Sequence, residues 1–348
     1  MKVKEEPTRI LAIDVGGVTQ DILIYDSSKV MENCTQLILP SRTVIVAERI
    51  KRATAEGRPI FLVGNLMGGG ACVGALKKHL KAGFKVYAEP LAAKTIRDNL
   101  QEVEALGVGI TEQAPPEAQR IGMRDIDLRA LEEALRPFDL EIPQKYAVAV
   151  QDHGESTEES NRKFRFRYWQ GFVEGGGDLD GLVFRKVPPI FTRMKAVQAD
   201  VPGAVMMDTG AAAIWGALED PQVSERREQG LVIVNVGNQH TVGALLQGKR
   251  IWGLFEHHTV LMNSEKLEDY VIRLRTGKLS NEEVFGDGGH GCSINSRLPE
   301  NTKFEFVAVA GPRRHMAAGL GYYFAAPYGD MMLTGCFGLV AACLATAE

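Results

Sequence analysis

Two short segments constrain what this chain can fold into. The first, LAIDVGGVTQDILIYD over residues 11–26, and the second, LVIVNVGNQHTVGALL over residues 231–246, share one pattern. Each reads as an apolar strand, a tight glycine turn carrying small hydroxyl or amide residues, and a second strand. A hairpin of that kind bares backbone N–H groups and a hydroxyl at its tip, which suits an oxyanion such as phosphate. A carboxylate ending the first strand, here Asp14, can hold a hydrated metal ion against that phosphate. One such hairpin is a weak signal. Two, at the starts of two halves of a chain, are a strong one.

At 348 residues the chain is too long for one ordinary core and implies two domains. A content of 45% hydrophobic and 24% charged residues is that of a globular protein rather than a disordered one. The net charge of −4 provides no global field for nucleic acid or anionic lipid, so neither is expected as a partner. The N-terminus lacks the apolar stretch of a secretory signal. The most apolar run, 331–347, is broken by Thr334, Gly335 and Gly338. It falls short of the roughly 18–20 residues of a bilayer span, so a buried helix is expected there. Cys34, Cys72, Cys292, Cys336 and Cys343 form no C-x-x-C pair, which favours reduced thiols and a cytoplasmic protein.

Between the hairpins, short apolar strands alternate with helices, the signature of an α/β fold. Strands are expected over 43–47, 59–63, 84–87 and 146–150, with helices after 47 and over 71–81. The stretch 101–145, with Pro115-Pro116 and a charged helix over 127–136, reads as an inserted surface connection. Residues 155–163 read as a polar loop. The run KFRFRYW over 163–169 alternates at period two, which predicts an edge strand rather than a nucleic-acid patch. A second unit is expected to open at Val205, where Asp208 signals the N-cap of an alanine-rich helix over 211–219. A strand over 304–310 then leads into Gly311-Pro312-Arg313-Arg314-His315. The expected domains are 1–195, with the connection near 101–145, then 196–330, with 331–348 returning to the first domain.

Three familiar signatures fail. Residues 69–74 have P-loop glycine spacing, but Ala75 and Leu76 stand where Lys and Ser/Thr are required. GDGGHG over 286–291 matches G-x-G-x-x-G by letter without a preceding strand or following helix, so it reads as a mobile loop rather than a dinucleotide site. No C-x-x-x-C-x-x-C cluster exists for an iron–sulfur centre of the radical type. The histidines are less easily dismissed. His153, His240, His257, His258, His290 and His315 fall in predicted loops or strand ends, where imidazoles serve as acid/base groups, anion donors or metal ligands. Glu256-His257-His258 is the sharpest cluster, but neighbours on a strand face opposite ways, so a shared metal needs a bend. Asp152 ends a buried strand, where α/β folds place reactive groups; an Asp there also caps turns.

The pattern D-x-G-G-x-T-x-D over 14–21 resembles the first phosphate hairpin of the actin, sugar-kinase and heat-shock chaperone ATPase superfamily, most of all its hydantoinase A branch. Later segments follow in the matching order. Residues 208–218 resemble the helix before the second hairpin, 307–311 the adenosine-binding strand and turn, and 335–342 the closing helix. The likeness covers most of the chain, each motif alone being moderately specific. The whole sequence also resembles a prokaryotic family whose members carry the label pyruvate formate-lyase activating enzyme, although the missing cysteine cluster argues against radical chemistry. Two departures stand out. Asn235 replaces the aspartate that starts the second hairpin in most of the superfamily, and Pro312 replaces the second glycine of the adenosine turn.

The resemblance implies two actin-like (ribonuclease H-like) α/β domains around a central cleft. ATP and Mg2+ are then the implied ligands. Gly16, Gly17, Thr19, Gly237, Asn238, His240 and Thr241 would meet the phosphates, Gly311 and Arg313 the nucleotide, and Asp14 and Asn235 the metal. Asp152, with His153, would take a proton from a substrate hydroxyl or orient a water. Asp21, Asp208, Glu256, His257 and His258 are further candidates. Three readings stay open: an ATPase or small-molecule phosphotransferase, an enzyme using the cleft for a phosphorylated or carboxylated small molecule with histidine acid/base or metal groups, and a nucleotide-sensing scaffold. A small-molecule partner and self-association are compatible with all three.

Overall fold

A computed structural model describes residues 6–156, 160–299 and 301–346. The chain opens with an antiparallel meander of Arg9–Val15 (β1), Thr19–Asp26 (β2) and Thr35–Pro40 (β3). Ile60–Gly64 (β4), Val86–Ala88 (β5), Val108–Ile110 (β6) and Gln119–Met123 (β7) then form a separate parallel sheet. Tyr146–Val150 (β8) and Val205–Met207 (β9) return to the first sheet, giving the order β3-β2-β1-β8-β9. The second half repeats the plan. Leu231–Val236 (β10), His240–Gln247 (β11), Arg250–His258 (β12), Gly291–Ile294 (β13), Phe306–Ala310 (β14) and Tyr323–Phe324 (β15) build a sheet ordered β13-β12-β11-β10-β14-β15.

The repetition is detailed. In each half an opening hairpin is flanked by a parallel strand, β8 beside β1 and β14 beside β10. The turns match atom for atom: Gly16 N–H donates to the Thr19 carbonyl and Gly237 N–H to the His240 carbonyl, both at 2.9 Å. This duplicated α/β architecture is the one that the sequence resemblance implies. Strands β1 and β10 are buried on both faces, which is why they read as unbroken apolar runs. Ile10, Ala12, Leu231 and Ile233 face a shared central core, while Leu11, Ile13, Val232 and Val234 face outer ones. By the two-residue period, Asp14 and Asn235 point to the inner side.

Helices Thr209–Ala217 and Thr334–Ala345 fill the space between the sheets, and glycines set their separation. A Cβ on Gly338 would overlap the Ala212 carbonyl, and one on Gly216 the Thr334 carbonyl. Helix propensity alone favours alanine over glycine by up to about 1 kcal/mol. The overlap dominates, so Gly338→Ala is expected to destabilise by about 1–3 kcal/mol in urea unfolding, the usual cost of overpacking. A stabilised variant would mean that the two helices are free to part.

Four sequence expectations are corrected. Residues 43–47 open the helix Arg42–Ala55 rather than forming a strand, because burial at 42, 43, 46, 47, 50 and 53 has helical spacing that outweighs the β-branched run. The run 163–169 lies in the helix Asn161–Glu174, whose buried Arg165, Phe166, Trp169 and Val173 share one helical face. Val205–Met207 closes the first sheet beside β8 instead of opening a second unit. The stretch 101–145 is no surface connection: β6 and β7 belong to the four-stranded sheet, which has its own core around Leu62, Leu76 and Ile121. Of the polar loop expected over 155–163, residues 157–159 lie outside the described residues, as does Ala347 of the closing run. All five cysteines are free and buried. Among the described residues no helix is long and apolar enough to cross a membrane.

Candidate functional site

Both hairpin tips open on one cleft of about 460 Å³. Gly16, Gly17 and Thr19 line one side, and Gly237, Asn238 and His240 the other. The tips touch, because a Cβ on Gly17 would overlap the Gln239 amide. Alignment of the two turns puts His240, not Thr241, at the position of Thr19. The Thr241 hydroxyl is buried behind the wall, bonded to Thr259 at 3.0 Å, and does not line the cleft.

Asp14 and Asp21 are paired across the first hairpin, whereas Asn235 faces Val242 across the second. Of the two hairpins, only the first therefore carries carboxylates. Oδ1 of each aspartate is buried with no hydrogen-bond partner among the described residues. Gly335 lets the closing helix approach so closely that a Cβ there would overlap the Asp14 carboxylate. Burial, and then the charge of Asp21, push the Asp14 carboxyl well above its usual range. Burial lifts Asp21 to about 7. Two hard oxygen donors with open lone pairs are what a hydrated magnesium ion accepts, so this pair fits such an ion.

These shifts make a pH prediction. An acid whose folded pKa exceeds its unfolded value carries a penalty absent below about pH 4 and fully present above the folded pKa. For Asp21, moving from 3.8 to about 7, that penalty is on the order of 4 kcal/mol at most. In EDTA, Asp21→Asn should match wild type in urea unfolding at pH 4 and exceed it increasingly up to pH 8. A constant difference across that range would sink the idea.

The floor of the cleft is a buried ion network. Arg165 donates to Asp208 Oδ2 at 2.7 Å, Glu256 Oε2 at 2.8 Å and the Asp152 carbonyl at 2.7 Å. Gln151 donates to Glu256 Oε1 at 2.6 Å. Asp208 also caps its helix by accepting from Gly210 N–H. Burial works against the Arg165 charge, and the two carboxylates more than offset it. Beside this network, Arg193 grips Asp125 with two bonds and reaches the Gln151 carbonyl. Asp152 is fully engaged: Gly154 N–H and Met194 N–H each donate to one of its oxygens at 2.8 Å. It lines the cleft, but its geometry is that of a turn cap rather than a free base.

A histidine cluster forms the adjoining wall. His153 follows β8, His240 starts β11, and His290 precedes β13. Nitrogens of the three rings lie within 4.8 Å of one another. His258 stands beside them, its ring centroid 4.9 Å from those of both His240 and His290. Burial lowers His240 to about 3 and His290 to about 4, and burial with the charge of Arg165 holds His153 well below its usual value. The rings are neutral at physiological pH.

His257 does not join them. On the opposite face of β12, its Nε2 lies 3.1 Å from Asp287 Oδ2 and its ring meets Tyr270 edge-on. Gly311 lines the cleft, but Arg313 is exposed and does not. So Asp21, His257 and Arg313, three residues whose convergence the sequence left open, do not share a cavity. Sequence reasoning missed Arg165 and Arg193 as site residues. For Arg165 the signal was present, since a helical reading of 161–174 puts it on the buried face with Phe166 and Trp169.

Residues 67–316 match the model of a family described as "Putative pyruvate format-lyase activating enzyme (DUF1786)". The chain belongs to this family. No curated protein matches it. Among solved structures, this family member is similar to a Bacteroides thetaiotaomicron protein with actin-like ATPase fold and unknown function (8% identity, 100% of this chain and 99% of that one, TM-score 0.38). It is also similar to the Lmo2764 protein of Listeria monocytogenes, described as "a putative N-acetylmannosamine kinase" (11% identity, 97% and 99%, TM-score 0.34). A third is the Aquifex aeolicus member of the Ppx/GppA family (8% identity, 88% and 66%, TM-score 0.31). Likeness this low carries no activity over to the present chain.

Proposed function

We propose that the cleft binds a nucleoside triphosphate with magnesium and that the protein is an ATPase or small-molecule phosphotransferase. The observation that carries this reading is the pair of matching glycine turns opening on one cleft, with two under-bonded buried carboxylates beside the first of them. Backbone N–H groups of Gly16–Thr19 and Gly237–His240 would receive phosphate oxygens from opposite sides. Asp14 and Asp21 would hold magnesium through its water shell, and that ion would neutralise phosphate charge. Asn235, an uncharged amide, leaves the second hairpin to bind phosphate without adding charge to the metal side.

The engaged carboxylate of Asp152 fits a positioning role, fixing the β8 end and, through it, His153 and the Arg165 contact. The rings of His153 and His240 stand on the cleft wall. Gating follows from the layout, because Gln239 against Gly17 links the two domain tips across the entrance. The test is calorimetric titration of MgATP into the EDTA-treated wild type and Asp14→Ala.

A further inference from the structure

We propose that His153, His240 and His290 form a binding site for a divalent transition ion of the zinc type, distinct from the magnesium position at Asp14 and Asp21. The ligand nitrogens converge from three separate elements to within 4.8 Å of one another, close enough for one ion after small ring rotations. His153 comes from the first half of the chain, and His240 and His290 from the second, so the ion would tie the two together.

Three further observations point to a cation. First, Nε2 of His240 and both ring nitrogens of His290 are buried without a hydrogen-bond partner among the described residues. A neutral imidazole always carries one N–H and one lone pair, and burying these unmet is unfavourable. Second, the buried Glu256 carboxylate acts more strongly on His240 and His290 than Arg165 or Arg162 does. Third, Glu256 Oε2 lies 3.6 Å from His290 Nδ1, just beyond hydrogen-bond range, where a small ring rotation would make it the outer-sphere carboxylate of a ligating imidazole.

An oxyanion is the wrong occupant. The Arg165 guanidinium is already committed to Asp208, Glu256 and the Asp152 carbonyl, so it has no donor to turn toward an anion. Imidazole nitrogen suits zinc, cobalt and their neighbours, whereas the oxygen pair at Asp14 and Asp21 suits magnesium. His153 and His240 line the cleft, so the ion's remaining position is turned toward whatever the cleft holds. A water or substrate oxygen is the ligand for that position. The inference does not depend on nucleotide binding: phosphate would use the His240 backbone N–H, whereas the ion would use its ring.

The test titrates Co2+ into tag-free, EDTA-treated protein and follows the visible absorption bands of the coordinated ion, then displaces it with Zn2+. One equivalent is expected, retained in Asp14→Ala and in His315→Gln. His240→Gln and His290→Gln should each weaken binding by at least about tenfold, the loss that follows removal of even an outer-sphere partner. His153→Asn provides a third arm if either variant fails to fold. No stoichiometric binding by wild type, or binding unchanged in folded histidine variants, overturns the site. Loss of the cobalt bands in Asp14→Ala alone would overturn it too, by assigning the ion to the carboxylates.

Discussion

Arg165→Met is expected to cost the fold about 3–5 kcal/mol, the largest stability loss of any single substitution in the cleft. Arg165 is 3% exposed and neutralises two carboxylates that are themselves buried, Asp208 at 5% and Glu256 at 1%. Methionine roughly replaces its volume against Trp169 but leaves both acids as uncompensated charges in a low-dielectric interior. The cost should depend on pH in a defined direction. With arginine present, Glu256 is held below the usual carboxylate range, so the pair contributes stability that persists until strong acid. Without it, burial raises the folded pKa of Glu256, and the penalty grows as pH rises through the ordinary carboxylate range toward neutrality. Urea unfolding of variant and wild type should therefore diverge between pH 4 and pH 8. The triple variant Arg165→Met with Asp208→Asn and Glu256→Gln should recover much of the loss. A loss under about 1 kcal/mol for the single variant would mean that water reaches the cleft floor.

The second large effect is on ligand binding. Asp14→Ala should weaken MgATP binding on the order of 100-fold, about 2.7 kcal/mol, in calorimetric titration. Asp14 is the carboxylate nearest the glycine turn, and its Oδ1 has no protein partner to lose. Its removal relieves a buried acid rather than breaking a bond, so the variant should be no less stable than wild type in EDTA. A stable variant without affinity separates the loss of a ligand group from the loss of the fold. Equal affinities would remove Asp14 from the metal position, and no binding by wild type would sink the nucleotide reading.

Much of the frame was legible before any coordinates. The hairpins, the Asp208 cap, the strand ending at Val150 and the closing helix are local patterns, in which each residue's role follows from neighbours a few positions away. The misread segments share one cause. Residues 43–47 and 163–169 have β-like composition or alternation, and only packing against distant elements makes them helical. The small parallel sheet was read only in part: β4 and β5 fall on expected strands, whereas β6 and β7 were missed, β6 being three residues long and too short to carry a period.

The site divides along the same line. The sequence determined the glycine turns and the acid beside the first, because a hairpin fixes the relative positions of Asp14, Gly16, Thr19 and Asp21 through its own hydrogen bonds. Tertiary structure decided which histidines meet. His257 and His258 are neighbours in the chain yet face opposite ways on a strand, while His153, His240 and His290, far apart in sequence, converge on one wall. It also decided that Arg165 lies beneath that wall and that Asp152 is occupied by backbone N–H groups. Contacts of that kind depend on how sheets and helices stack, and no local pattern encodes the stacking.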